Sequence, residues 1–459
     1  MGGGDGELVK VFLGISEETD KRLAYGVVVD RTEIGRLRRR TGAADLELYL
    51  KRGRSRQLLH DATRRLQTET EERGWAVRGA TARGSFFSCG TGDPWAVSDW
   101  PEPRGAAIEL PEPEPIDDWR ERRGVEKPLA SEAEVRALAR GLASELARAA
   151  PRARLDLVVI EDGASESRLG TTRGLSSGWR TRLASVLLQA SNGTGGRGPV
   201  RAEWVRGDLS ELSARPLANR LADLLSIAAA GRPVARDRSE MVVSPEVGAR
   251  LLAGLLPLFD RASSPACLEA LGTSGRLGSA RLTLIDDGRL PTGVLASPVD
   301  GEGTPTRSVT LVEEGGFRQP LLPWWERRAG SVSGGCCRRD SWRDLPRVGP
   351  SHLYLRPDPQ VRAADLVGSL SRGYYLLDAV DGGSFRFAED RFELGVRGFE
   401  MVGGRARMPV ADVRLVGRIS ALLRGVAAVA RDLTLVRLPA GLLGSPTLRL
   451  QGLELESVA

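Results

Sequence analysis

The sequence predicts an α+β protein: a mixed α/β N-terminal domain over residues 1–232, then a mainly antiparallel β C-terminal domain over residues 233–459. Three observations carry this reading. Residues 131–151 spell a capped amphipathic helix closed by a proline. From residue 281 onward, short alternating or β-branched runs follow one another with glycine turns between them. Between these regions, GRPVARDRSE (231–240) is a polar joint without apolar periodicity. A chain of 459 residues exceeds one ordinary domain, and 41% hydrophobic with 27% charged residues excludes wholesale disorder.

In chain order, LAYGVVVD (23–30) reads as a strand followed by an Arg-rich segment. Residues 46–51 alternate as a strand, 58–72 read as a helix, and 75–88 read as paired strands around a glycine turn. PEPRGAAIELPEPEPID (101–117) holds five prolines, which remove backbone donors and fix an extended loop. Ser131 and Glu134 form a capping box, Val135, Leu138, Leu142 and Leu146 keep a helical stripe, and Pro151 ends it. Residues 155–160 are an apolar strand, Glu161-Asp162-Gly163 a turn, and 168–173 a second strand; 179–188 suit a strand or a helix. Leu217, Leu221, Leu224 and Leu225 mark a helix ending near Gly231. Ser244 and Pro245 open another, with Val247, Leu251, Leu255, Leu258 and Phe259 as its stripe. The strand-rich remainder is interrupted by one expected helix, 418–432. No internal repeat is visible.

Composition removes several function classes. The net charge is +6, from 66 basic and 60 acidic residues, and acids and bases alternate finely. Nucleic-acid binding would call for bases gathered on one face with aromatics between them, so none is expected. No apolar run approaches ~18 residues, and the opening MGGGDGELVK lacks the apolar core of a signal peptide; no membrane span and a cytoplasmic location are expected. Four cysteines without C-x-x-C spacing, and two histidines (His60 in a helical context, His352 at a strand entry), offer no clustered zinc ligands.

Each local motif dissolves on inspection. Gly174-Leu175-Ser176-Ser177-Gly178 fits G-x-S-x-G but reads as a Gly/Ser turn. Gly193, Gly195 and Gly198 fit G-x-G-x-x-G, but a strand rather than a helix follows, so they read as a loop. Cys336-Cys337 with His352 has nothing nearby to orient the imidazole. Asp286-Asp287 and Glu313-Glu314 read as solvated acids at strand ends. The residues alone therefore define no catalytic constellation.

A resemblance goes further. MVVSPEVGARLL (241–252), LTLIDDGRLPTG (282–293), DGEGTPTRSVTLVEEGGF (300–317), SGGCCRRDSW with PSHLYLRP (333–357), FELGVRGFEMVGGRARMPVADVRLVG (392–417) and VARDLTLVRLPAGLLGSPTLRLQGLEL (429–455) occur in one order. Together they resemble the TldD/PmbA family of zinc metallopeptidases, and more closely its TldE (PmbA) branch. LYLKRGRSR, EERGWAVR, RGSFF and EDGASESRLGTTRG fit the N-terminal half more loosely. The resemblance implies the family's two-part fold. In active members an HExxxH helix and a later cysteine hold zinc, with the glutamate as general base. Here Ala253, Gly254 and Leu258 stand at the first His, the Glu and the second His, and 437–446 contains no cysteine. No catalytic, cofactor or metal residue is therefore expected in this chain. Cys336, Cys337 and Trp324-Trp325 depart from the family pattern, and His352 receives no role.

What the resemblance implies is a non-catalytic TldE-like subunit of a heterodimer. A TldD-type catalytic partner would supply the zinc, and a peptide substrate would lie in a shared chamber as an added strand. Asp300, Gly301, Glu302, Gly303, Thr304, Pro305, Thr306 and Arg307, with Ser333 and Gly334, are the expected substrate- or partner-facing residues. The alternatives are a stand-alone peptide-binding or scaffold protein of the same fold, a natural-product pathway subunit, and an independent enzyme using Cys336/Cys337 or an acid pair.

Overall fold

A computed structural model describes residues 28–61, 64–192, 199–272, 275–326 and 335–458. Helix α1 (Arg31–Thr41) is opened by an Asp30/Glu33 capping box and closed by Gly42 at φ 66°. The Arg-rich segment is thus helical, and Val28–Asp30 lead into it; the remainder of the strand expected at 23–30 lies outside the described residues.

Strands β1 (Asp45–Asp61), β2 (Arg65–Thr81) and β3 (Gly84–Gly90) are followed, after the proline-rich loop, by α2 (Glu132–Ala149), β4 (Arg154–Thr171), β5 (Ser176–Ser191), β6 (Val200–Arg206) and α3 (Ala214–Ala230). The strands make one antiparallel sheet in the order β3-β2-β1-β4-β5-β6. Helices α2 and α3 cover one end, burying Val135, Leu142, Leu146, Leu221 and Leu224 against Ile160, Val186 and Leu188. Each such side chain contributes roughly 1.5–3 kcal/mol of transfer free energy. The other end of that face packs on α1 through Leu46, Leu48 and Leu37.

Two expectations fail in this sheet. Residues 58–72 are not a helix: His60 pairs with Arg65 and Gln57 with Thr68 across a long hairpin. Arg56 and Arg52 then bind Glu69 and Glu71 across the strands; the period-2 alternation of charge, not the few leucines, sets the conformation. Glu161-Asp162-Gly163 is not a turn, because β4 runs unbroken through it, paired with β1 and β5. Fully buried Asp162 stays in the strand because Arg182 on β5 grips its carboxylate at 2.8 Å and the Ala130 amide donates to it at 2.6 Å. Residues 179–188 are strand, and the true turn precedes them at Gly174, φ 100°.

Beyond residue 240 come β7 (Glu240–Val243), α4 (Pro245–Gly254), α5 (Ser264–Ala270), β8 (Leu284–Asp287), β9 (Ser308–Glu313), β10 (Gly316–Phe317), β11 (Cys337–Arg338), β12 (Arg347–Val348) and β13 (His352–Leu355). Then follow α6 (Ala363–Gly368), β14 (Arg372–Ala379), β15 (Ser384–Arg386), β16 (Arg391–Val402), β17 (Arg405–Gly417), α7 (Ile419–Arg424), β18 (Val426–Val429), β19 (Thr434–Leu438), β20 (Gly441–Ser445), β21 (Leu448–Leu450) and β22 (Glu454–Ser457). They build a six-stranded sheet, β10-β9-β8-β13-β20-β19, and an eight-stranded one, β18-β21-β7-β14-β16-β17-β22 with β15 beside β16. Among the described residues only the β13–β20 and β7–β14 strand pairs are parallel, in keeping with an antiparallel-rich α+β fold. Helix α4 lies between the two sheets, and Val247, Leu251, Leu255, Leu258 and Phe259 all enter their common core.

The helix expected at 418–432 ends at Arg424. Gly425 cannot carry a side chain there, since a Cβ would lie 2.2 Å from the Gln451 carbonyl, and Val426–Val429 pair with β21 instead. The proline-rich loop is extended, as read. It straps the two halves: Glu114 meets Arg307 at 2.6 Å, and the Asp117 carbonyl meets Arg289. Among the described residues no helix is long and apolar enough to cross a membrane.

Candidate functional site

The segment DGEGT is a tight loop wound around one carboxylate. Asp300 Oδ1 accepts from the Glu302 and Thr304 amides at 2.9 and 3.0 Å, and Oδ2 from the Cys337 amide at 3.0 Å. Gly303 adopts φ 92°, and a Cβ there would meet Leu175 at 2.2 Å. The loop therefore needs glycine both for its backbone and for its seat against the N-terminal sheet.

That seat is charged. Glu302 receives Arg78 at 3.1 Å, and Arg78 also holds Glu47 at 2.8 Å, all three side chains at most 7% exposed. Arg339 closes the set on the other Glu47 oxygen and lies over the Tyr49 ring at 5.1 Å from its centroid. Arg78 thus bridges two glutamates on different halves of the chain, and Arg339 holds one of them, Glu47. Burial raises the Glu302 carboxyl above its ordinary range, opposed by the charge of Arg78. Trp342 adds an apolar pin: it rests on Gly74, where a Cβ would lie 2.1 Å from its ring, and donates to Glu72 at 2.9 Å.

Above this knot opens a cleft of about 560 Å³ between the N-terminal sheet and the C-terminal half. One wall is the polar face of β1, β4 and β5, with Tyr49, Lys51, Ser167 and Trp179; the other carries Phe259, Leu321, Arg338 and the start of β20. Asp300 and Gly301 lie in its floor. Glu302, Gly303, Thr304, Pro305 and Thr306 are buried behind that floor, and Arg307 is half-buried on the proline-rich loop. Ser333 and Gly334 lie outside the described residues, as do Gly193, Gly195 and Gly198.

Asp286, read as solvated, is buried instead: its carboxylate accepts the Ser351 and His352 amides at 2.7 and 3.0 Å. Asp287 is half-buried beside it. His352 uses both ring nitrogens on backbone, with Nδ1 2.8 Å from the Asp287 carbonyl and Nε2 accepting from Leu295 at 3.1 Å. Burial pushes its pKa down to about 4, so the ring is a neutral cross-link. Cys336 donates to the Leu322 carbonyl and Cys337 to Glu302. Burial pushes both thiols well above the usual cysteine range. Both thiols and both imidazole nitrogens are thus engaged with other groups. His60 lies on β1, opposite Arg65 on β2.

The residues at the ligand positions implied by the family do not fit zinc. Leu258 is fully buried in the core, and Ala253 packs against that core. A side chain at Gly254 would strike the Phe385 ring at 2.1 Å. Helix α4 stops at Gly254, and Pro257 lies in the short turn that follows. Among the described residues no three His, Cys, Asp or Glu side chains are grouped to hold a metal.

Sequence reasoning missed Glu47, Arg78 and Arg339. Their one local signal is that Tyr49 shares a strand face with Glu47, which marks that face as covered.

Residues 236–457 match the model of the PmbA/TldA metallopeptidase C-terminal domain. TldE from Thermococcus kodakarensis superimposes with a TM-score of 0.82 at 18% identity, over 93% of this chain and all of that one. The fold of nearly the whole molecule is thus of TldE type. An uncharacterized protein of Methanocaldococcus jannaschii is 31% identical over 155 residues, 32% of this chain and 35% of its own length. A metalloprotease TldD homolog of Buchnera aphidicola (from Acyrthosiphon pisum) is 23% identical over 213 residues, 44% and 43% of the two chains. The chain spans well under half the length of these curated relatives.

Proposed function

We propose that this chain is a non-catalytic, TldE-like subunit of a heteromeric TldD/TldE-type zinc metallopeptidase that degrades or matures unfolded or modified peptides in the cytoplasm. The chain would shape the peptide chamber, and a TldD-type partner would supply zinc and the general base. One observation carries the reading: on a TldE-type fold, the segment that would hold the metal, the end of helix α4 and the turn after it, places Ala253, Gly254 and Leu258 against a packed core. Methyl and isobutyl groups have no lone pair to give a cation. The TldE match and the TldD homologues support the choice of complex.

The test is to purify the chain alone and together with a TldD-type protein from its own host. Co-purification, with chelator-sensitive hydrolysis of an unfolded peptide and bound zinc only in the mixture, is expected. Chelator-sensitive hydrolysis by the pure chain would overturn the proposal.

A further inference from the structure

A second groove, of about 630 Å³, adjoins the cleft, and Leu438 and Pro439 stand in the walls of both. One wall is β6, which supplies Pro199, Arg201, Ala202, Glu203 and Trp204. Successive residues of a strand point to opposite faces of its sheet, so a groove that touches them all runs along the strand's edge. That edge is open: β6 is the outermost strand of the N-terminal sheet, and among the described residues no strand pairs with its outer side. The facing wall is C-terminal, with Arg250 on α4, Val380 after β14, Arg397 on β16 and Val436 on β19.

Arginines outnumber acids in this lining. Arg220 holds Glu246 at 3.0 Å and donates to the Leu377 carbonyl. Arg397 grips Asp378 through two nitrogens, at 2.9 and 2.5 Å. Arg437 lies 3.5 Å from Glu203 and 3.8 Å from Glu161. Those pairs use every carboxylate that lines the groove. Arg201 and Arg250 are left, with neither an ion pair nor a hydrogen bond among the described residues. Both can be reached from solvent: Arg201 is exposed on β6, and Arg250 is half-buried on α4.

An open strand edge offers backbone N–H and C=O groups to any extended chain, and arginines without partners select the one that brings carboxylates. We infer that this groove docks an extended acidic segment of another protein, laid along β6 with its carboxylates on Arg201 and Arg250 and its apolar side chains on Trp204, Val380 and Val436. The site is separate from the cleft and needs neither zinc nor a catalytic partner, so it stands or falls apart from the proposed function.

The test is fluorescence polarisation on the full chain with a labelled, capped hexapeptide of alternating glutamate and valine, and with its glutamine and lysine counterparts. The glutamate peptide should bind roughly 3- to 30-fold more tightly than the glutamine one, as two solvent-accessible ion pairs allow, and the difference should shrink in ~0.5 M salt. Arg201→Gln and Arg250→Gln should each lower affinity for the glutamate peptide about 2- to 5-fold and leave the glutamine peptide unchanged, while Lys51→Gln in the cleft should change neither. Backbone amide exchange across Val200–Arg206 should slow when the glutamate peptide is bound. Equal binding of the three peptides, no binding, affinity unaltered in both arginine variants, or unchanged exchange in β6 would overturn the inference. Displacement of the peptide by an equal concentration of inorganic phosphate would also overturn it, reducing the groove to a simple anion site. If Arg250→Gln fails to fold, Arg201→Gln and the exchange measurement still decide.

Discussion

His352 shows what a single residue's surroundings do to its chemistry. Its ring is held neutral by two backbone partners in a buried site, with a pKa near 4 against an ordinary 6.5. A folded pKa below the unfolded one means that the unfolded chain takes up the proton first as pH falls. The stability from this group is complete above about pH 6.5 and is lost progressively toward pH 4, ~3 kcal/mol in all. Urea unfolding of wild type and His352→Gln between pH 7 and 4.5 should show wild type losing more stability on acidification. Parallel pH profiles would contradict it. Buried Asp286 and Asp300 shift the other way, because burial raises their carboxyls, so the difference between the two proteins, not wild type alone, isolates the histidine. Asp286 also marks where residue-level reading stopped. An acid after an apolar strand looks solvated until the loop carrying Ser351 closes over it.

At the scale of elements, α4 and β4 make opposite points. Helix α4 was legible: the Ser244 cap, Pro245 and the Val247–Leu251–Leu255 stripe specify it locally. On the proposed reading, this segment stands where active relatives hold zinc, and its packing differs from a metal site in more than three residues. The triple variant Ala253→His, Gly254→Glu, Leu258→His should bind no stoichiometric zinc by metal analysis. It should also lose several kcal/mol of stability, since Leu258 alone is worth ~2–5 kcal/mol and Gly254 faces Phe385. A stable, zinc-loaded triple variant would show that the site is only masked. Strand β4 was misread at Asp162, whose conformation is set by Arg182 on the next strand. Arg182→Leu leaves that carboxylate buried and unpaired and should cost ~3–5 kcal/mol in chemical denaturation; the double variant with Asp162→Leu should recover much of it. The arginine-rich hairpin of β1 and β2 failed for a related reason: its cross-strand ion pairs stabilise a strand where single-chain periodicity suggested a helix.

At the scale of the whole molecule, the two halves are joined by the Glu47–Arg78–Glu302–Arg339 knot and the Trp342–Gly74 contact. Arg78→Met leaves Glu47 with Arg339 and buried Glu302 without an arginine, a loss of ~3–5 kcal/mol expected for a broken buried pair. The variant should separate calorimetric unfolding into two transitions and expose the proline-rich strap to limited proteolysis. A single unshifted transition would mean that the knot does not couple the halves.

The sequence by itself determined the α+β class, the capped helices, the alternating strands beyond residue 281 and the absence of metal donors at 253, 254 and 258. Each of these follows from local periodicity, capping or side-chain chemistry. Only the tertiary structure decided that DGEGT folds inward around Asp300, that His352 is a neutral cross-link, and that a cleft holding Arg338 lies between the halves. Those features depend on residues dozens to hundreds of positions apart sharing a low-dielectric interior. The free energy of a charge there is set by its spatial neighbours, not by its neighbours in the chain.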